Sequence, residues 1–158
     1  LFRSPSNTAG GSGYGFEAEE LSISRAMRIA DLSRITINAT KNEGILLRLT
    51  SMEGAVTKTS TETGTARELG AVAAGKTLYS YLQALYVKAG TTLTVTIESD
   101  EASNMASPTT QISHTAAGSK GAEIKTKAGP ITDTWYRVKW TISGASPSAT
   151  FDVGLGII

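Results

Sequence analysis

The chain has no cysteine, which excludes disulfides, thiolate metal sites and cysteine nucleophiles and leaves the redox compartment open. Its single histidine, His114, excludes multi-histidine metal centres. Charged residues are only 18%, with 15 Lys+Arg against 14 Asp+Glu for a formal net charge of +1, so the electrostatic footprint of a general nucleic-acid binder is missing. No apolar run approaches the roughly 18–20 residues that span a bilayer as a helix. No repeat of fixed period appears, which argues against solenoids and propellers. These absences remove most enzyme classes that carry recognisable residue clusters.

What is present is Ser and Thr, roughly a quarter of the chain, together with 16 Gly and 40% hydrophobic residues. Thr suits a pleated surface and Gly suits turns with positive φ, so the composition is that of a sheet protein with many turns. A length of 158 residues suffices for one domain, or one domain plus an arm. The sequence starts at Leu1 without an initiator Met, which leaves room for a segment before it. Residues 1–15, LFRSPSNTAGGSGYG, are Gly/Ser-rich with Pro5 and no apolar period, and read as a flexible N-terminal arm. Residues 16–158 read as one β-sandwich domain.

Period two dominates that domain. Leu21 and Ile23 alternate with Ser22 and Ser24, and Ile35, Ile37 and Ala39 with Thr36 and Asn38. Ile45, Leu47 and Leu49 follow after the turn signal Lys41-Asn42-Glu43-Gly44, which predicts a hairpin over 35–50. Arg25 to Arg34 has room for a helical turn or two. Residues 51–70, SMEGAVTKTSTETGTARELG, are polar and Thr-rich and read as an exposed excursion. The alternation resumes with Leu93, Val95 and Ile97, then Tyr136, Val138, Trp140 and Ile142, then Phe151, Val153, Leu155 and Ile157. The turn Ser143-Gly144-Ala145-Ser146-Pro147 predicts a hairpin over 135–157. Leu78, Tyr81, Leu82 and Leu85 fit helical spacing, but the aromatic content and the Lys88-Ala89-Gly90 turn favour a strand. The fold class expected is all-β: an antiparallel, jelly-roll-like sandwich with an extended arm and at most one short helix.

Few motifs carry chemistry. Gly70-Ala71-Val72-Ala73-Ala74-Gly75-Lys76-Thr77 matches G-x-x-x-x-G-K-[ST] letter for letter, but no buried strand signal precedes it and no apolar run ending in Asp supplies a second Mg²⁺ ligand. A turn before a strand is the better reading. Asp100, Glu101 and Glu98 offer oxygen ligands for Ca²⁺, or form a solvated turn. His114 has no acidic partner at recognisable spacing, and no Ser sits in a nucleophile motif. Alternation sends Tyr136 and Trp140 inward and leaves Trp135 outward as a sugar-stacking platform. Phe2, Arg3, Tyr14 and Phe16 are the arm residues suited to seat on a neighbouring surface. No cofactor and no metal site is indicated.

The run AGKTLYSYLQALYVKAGTTLTVTIESDEASNMASPTT, followed by GPITDTWYRVKWTISGASPSATFDVGLGI, resembles small jelly-roll virion proteins of tailed bacteriophages, over roughly residues 70–158. It also looks like the galactose-binding type of jelly roll. The phage resemblance implies a non-enzymatic structural subunit, foremost a capsid decoration (cement) protein and otherwise a tail-tube subunit. It implies a homo-oligomer that binds other virion proteins, the major capsid protein or tail proteins. The location implied is the virion, assembled in the host bacterial cytoplasm, without sequence-specific nucleic acid or membrane as partner. The alternative is a carbohydrate-binding module of a host-attachment appendage, acting through Trp135.

Overall fold

Where apolar and polar residues alternate most cleanly, strands form as the pattern demands. In the computed structural model the described residues are 2–3, 12–16, 18–26, 34–41 and 47–158, with side chains described from Leu49 onward. The strands are β1 (Phe2–Arg3), β2 (Ser12–Phe16), β3 (Ala18–Ala26), β4 (Arg34–Lys41), β5 (Leu47–Lys58), β6 (Glu62–Thr63), β7 (Arg67–Glu68), β8 (Thr77–Val87), β9 (Thr92–Asp100), β10 (Thr109–Ser113), β11 (Gly121–Ala128), β12 (Trp135–Ser143) and β13 (Ala149–Ile157). No helix occurs among the described residues. A six-stranded sheet runs β1-β2-β5-β13-β8-β11, and a second runs β10-β9-β12-β6, with β7 also paired to β12. β3 and β4 pair only with each other, as a separate two-stranded ribbon. All pairings are antiparallel.

The two large sheets face each other across one apolar interior. Leu78, Leu82, Phe151, Val153 and Leu155 from the first meet Leu93, Val95, Ile97, Val138 and Trp140 from the second. Trp140 and Phe151 touch edge to face with ring centroids 5.7 Å apart, an arrangement worth about 0.5–1.5 kcal/mol beyond the burial itself. The indole N–H of Trp140 donates to the Ser60 carbonyl at 2.9 Å, so the largest core side chain buries no unmet donor. The fold is therefore the all-β sandwich that the composition and periodicity predict.

Three local expectations are corrected. The hairpin over 35–50 does not form: β4 pairs with β3, while β5 lies between β2 and β13. Period two marks a strand but not its neighbour, and β5 needs β13 to bury Met52. The last two strands are likewise no hairpin, because β12 and β13 belong to different sheets and the 144–148 turn arches between them. Their apolar faces bury more by meeting across the interior, as Trp140 and Phe151 do, than by lying side by side. Residues 51–70 are not wholly an exposed excursion, since β5 continues to Lys58 and Ser51, Met52 and Gly54 are buried. β6 and β7 then pair with β12. The helical turn considered within Arg25 to Arg34 and the turn at Lys41-Asn42-Glu43-Gly44 fall largely outside the described residues.

Candidate functional site

The strand pattern of β8 puts Leu78, Leu82 and Ala84 into the interior. Ser80 occupies the same inward row and is fully buried. His114 follows directly after β10 and is 3% exposed. Glu123 lies on β11 opposite Leu82. These three side chains, one from each of three segments, form a continuous line. Ser80 Oγ is 2.8 Å from His114 Nε2, and His114 Nδ1 is 2.8 Å from Glu123 Oε2. A carboxylate only accepts, so Nδ1 carries the ring hydrogen and Nε2 accepts from the Ser80 hydroxyl. Glu123 also accepts from the Thr115 amide at 2.9 Å and the Thr115 hydroxyl at 2.7 Å.

The electrostatics follow from burial and these bonds. Burial pulls the His114 imidazole below its usual range, against the opposing pull of the hydrogen bond and charge of Glu123. Burial also pushes the Glu123 carboxyl up, but the donors from Thr115 and His114 outweigh it and hold the group at about 2. The ring is thus neutral and the carboxylate ionised at pH 7. Hydroxyl, imidazole and carboxylate in this order make the relay used for acyl transfer. Ser80, however, points into the packed interior and has no surface from which to meet a substrate. A cleft of about 300 Å³ opens nearby over Leu82 and Ala84, walled by residues 115–123, but neither Ser80 nor His114 lines it. In this geometry the line satisfies buried polar groups and ties strands together; it presents no nucleophile.

This line is the feature that motif reading missed. Its members are separated by 34 and 9 residues, so no local spacing reveals it. The available signal was Ser80 itself, a hydroxyl in the inward row between Leu78 and Leu82, which demands a buried partner.

The other candidates fall apart from one another. Tyr136 and Trp140 are buried and Trp135 is half-buried on the opposite face, beside Asp100 and Glu68 in the strand register. Burial, with the Asp133 charge, pushes the Tyr136 phenol up to about 12, and its hydroxyl donates to the Asp133 carbonyl at 3.1 Å. The G-x-x-x-x-G-K-T segment ends in a strand, since Thr77 opens β8, and Val72 bridges to Ile131. Without a helix N-terminus it lacks the amide cradle of a phosphate loop. Asp100 spends both carboxylate oxygens on backbone amides, Ala102 at 3.1 Å and Ser107 at 2.8 Å, and those bonds, Ser107 foremost, hold it below the usual range. Glu98 is tied to Arg137 and Lys139. No three His, Asp or Glu side chains converge as a metal site among the described residues. The side chains of Phe2, Arg3, Tyr14 and Phe16 lie outside those described.

One surface feature remains. Val56, Leu85 and Tyr86 are 56%, 45% and 52% exposed. Tyr86 stands in register with Thr150 and Thr57 across β8, β13 and β5, whereas Val56 is opposite Phe151, one residue along and so on the other face. Leu85 is the extra residue of a bulge there, between the Ala84–Phe151 and Tyr86–Thr150 pairs.

No protein-family model matches the chain. No curated protein matches it either. Among solved structures it is similar to the K3 cleaved adhesin domain of Lys-gingipain from Porphyromonas gingivalis, at 11% identity and a TM-score of 0.45, over 75% of this chain and 79% of that one.

Proposed function

We propose that the chain is a non-enzymatic structural subunit of a tailed-bacteriophage particle, a capsid decoration protein in the first instance and a tail-tube subunit in the second. It works in the virion, against copies of itself and against capsid or tail proteins. The observation that carries this reading is the exposed apolar pair Leu85 and Tyr86 at the bulged end of β8, which gains free energy only when another surface covers it. Three further features support it: the resemblance of residues 70–158 to small virion proteins, the sealed Ser80 hydroxyl, and the β3–β4 ribbon, which pairs with neither large sheet.

Light scattering and negative-stain microscopy of the purified protein test the reading. Trimers or closed rings that dissociate in the Leu85→Ser/Tyr86→Ser variant support a decoration subunit, and stacked hexameric rings support the tube. A protein that stays monomeric at all concentrations and binds no phage particle sinks both. The second reading, a carbohydrate-binding module, rests on Trp135, half-exposed with Glu68 beside it to accept sugar hydroxyls. Binding on a glycan array that disappears in Trp135→Ala supports that reading; an array without signal removes it.

A further inference from the structure

We propose that the Ser80–His114–Glu123 line is an acid-released clasp, which holds the seam between the edges of the two sheets shut at neutral pH and lets it open when the histidine takes up a proton. β10 is the edge of one sheet and β11 the edge of the other. Side chains close the seam between them. Glu123 of β11 grips His114 and Thr115 just past the end of β10, and Lys125 Nζ donates to the Ser113 carbonyl at 2.8 Å. The loop beyond stays with its own sheet, because Ala117 and Leu93 exchange backbone hydrogen bonds of 2.9 and 2.8 Å. Opening therefore separates β11 from β10 and widens the cleft over Leu82 and Ala84.

The hydrogen-bond directions make the clasp sensitive to one proton. In the neutral state the Ser80 O–H donates to Nε2. Protonation puts an N–H on that nitrogen and sets two donors against each other. The hydroxyl must turn, and Nε2 is its one hydrogen-bond partner among the described residues. A buried donor left without an acceptor is costly, and so is an imidazolium with 3% exposure. The groups around the ring decide how much is recovered. From β11, Glu123 attracts the cation and Lys125, 3.7 Å from Glu123, repels it. β8 contributes only the Ser80 hydroxyl, and β9 only the Val95 carbonyl that accepts the His114 amide.

The sign follows from the direction of the shift. Burial lowers the folded imidazole below its ordinary value of 6.5, so the unfolded or opened state binds the proton first. The stabilisation from the neutral ring is complete above 6.5 and is lost as pH falls through the folded value. In the closed clasp the Thr115 and His114 bonds hold Glu123 at about 2, so its carboxylate is ionised when the histidine takes up the proton.

As the sole histidine, His114 gives one unambiguous imidazole resonance. It is followed by NMR between about pH 8 and pH 4.5, with amide hydrogen exchange measured on the same full-length protein. The expected midpoint lies below 6.5, and amides of residues 113–123 lose about tenfold protection across it while those of β12 and β13 hold. His114→Gln, which keeps a donor and an acceptor but does not titrate, abolishes the pH step. Glu123→Gln removes the counter-charge, so the imidazole midpoint and the seam opening both move to lower pH. A midpoint at or above 6.5, an unchanged seam, a seam that opens equally in His114→Gln, or β12 opening together with the seam overturns the proposal. If His114→Gln does not fold, the wild-type titration and Glu123→Gln decide the matter. A seam midpoint that stays fixed in Glu123→Gln while the imidazole moves also overturns it.

Discussion

Glu98 is a carboxylate only 5% exposed on a face that otherwise meets water, and its neighbours explain why it tolerates burial. Arg137 reaches one carboxylate oxygen through Nε at 2.8 Å and Nη2 at 2.7 Å, and Lys139 approaches the other at 3.4 Å. The strand register makes this possible, because Arg137 stands directly opposite Glu98. Removing one partner of a buried pair costs more than the pair contributes, since the remaining charge keeps its desolvation penalty. Arg137→Ala is therefore expected to destabilise the fold by about 2–4 kcal/mol in urea denaturation, Lys139 moderating the loss. Arg137→Lys recovers only part, because an ammonium cannot reproduce the paired N–H geometry. Lys139→Ala, at a half-exposed position with the longer contact, costs under about 1 kcal/mol. Equal losses for Arg137→Ala and Lys139→Ala contradict this division of roles.

At the scale of elements, the turns separate glycines that the fold requires from those it merely contains. Gly144, in the arch between β12 and β13, has φ +128, and a Cβ there overlaps the Gly90 carbonyl. Gly75, before β8, has φ +79 but open space around it. Gly118 has neither constraint. Melting temperatures of the three alanine variants should rank accordingly. Gly144→Ala falls furthest, Gly75→Ala loses about 1 kcal/mol from backbone strain alone, and Gly118→Ala is neutral or slightly stabilising. The same arch marks the limit of what the sequence discloses. Alternation located β9, β12 and β13 and placed Tyr136 and Trp140 inward and Trp135 outward, because burial on one face leaves a period of two, whereas β8 is favoured as a strand by its aromatic content and the turn after it. Pairing leaves no such trace: a Gly/Ser/Pro turn looks alike whether it closes a hairpin or crosses between sheets. β13 also departs from simple alternation, with Asp152 and Gly154 buried along with Phe151, Val153 and Leu155, as a central strand covered on both faces requires. The Ser80–His114–Glu123 line stayed hidden for the same reason, being built from pairings and not from neighbours.

For the whole molecule, among the described residues the inter-sheet core starts at Met52 and the smaller buried cluster at Leu49, so deletion of residues 1–15 should leave the sandwich folded. Those residues do supply β1 and most of β2, whose Ser12–Gly15 stretch pairs with Leu47–Thr50 of β5. The deletion therefore bares an edge of β5 and removes Phe2, Arg3 and Tyr14. Circular dichroism and melting temperature should change little, while the self-assembly proposed above should be lost in sedimentation. An unchanged assembly contradicts any role of the segment between subunits. The position of β13 has one more consequence, which concerns time. This strand sits in the middle of the larger sheet and joins β5 to β8, yet it is the last strand in chain order. Its side-chain bond Thr57–Thr150 spans 93 residues. During synthesis at about 5–20 residues per second, β5 waits roughly 5–20 s on the ribosome for its partner. A nascent chain halted after Ser143 lacks the strand that joins the halves of the sheet and should be digested by protease at the rate of an unfolded chain. The larger sheet closes only when β13 emerges, so a slow codon in the stretch that encodes β13 lengthens the exposure of an unpaired β5 edge, and with it the chance that two nascent copies on one polysome pair before either folds.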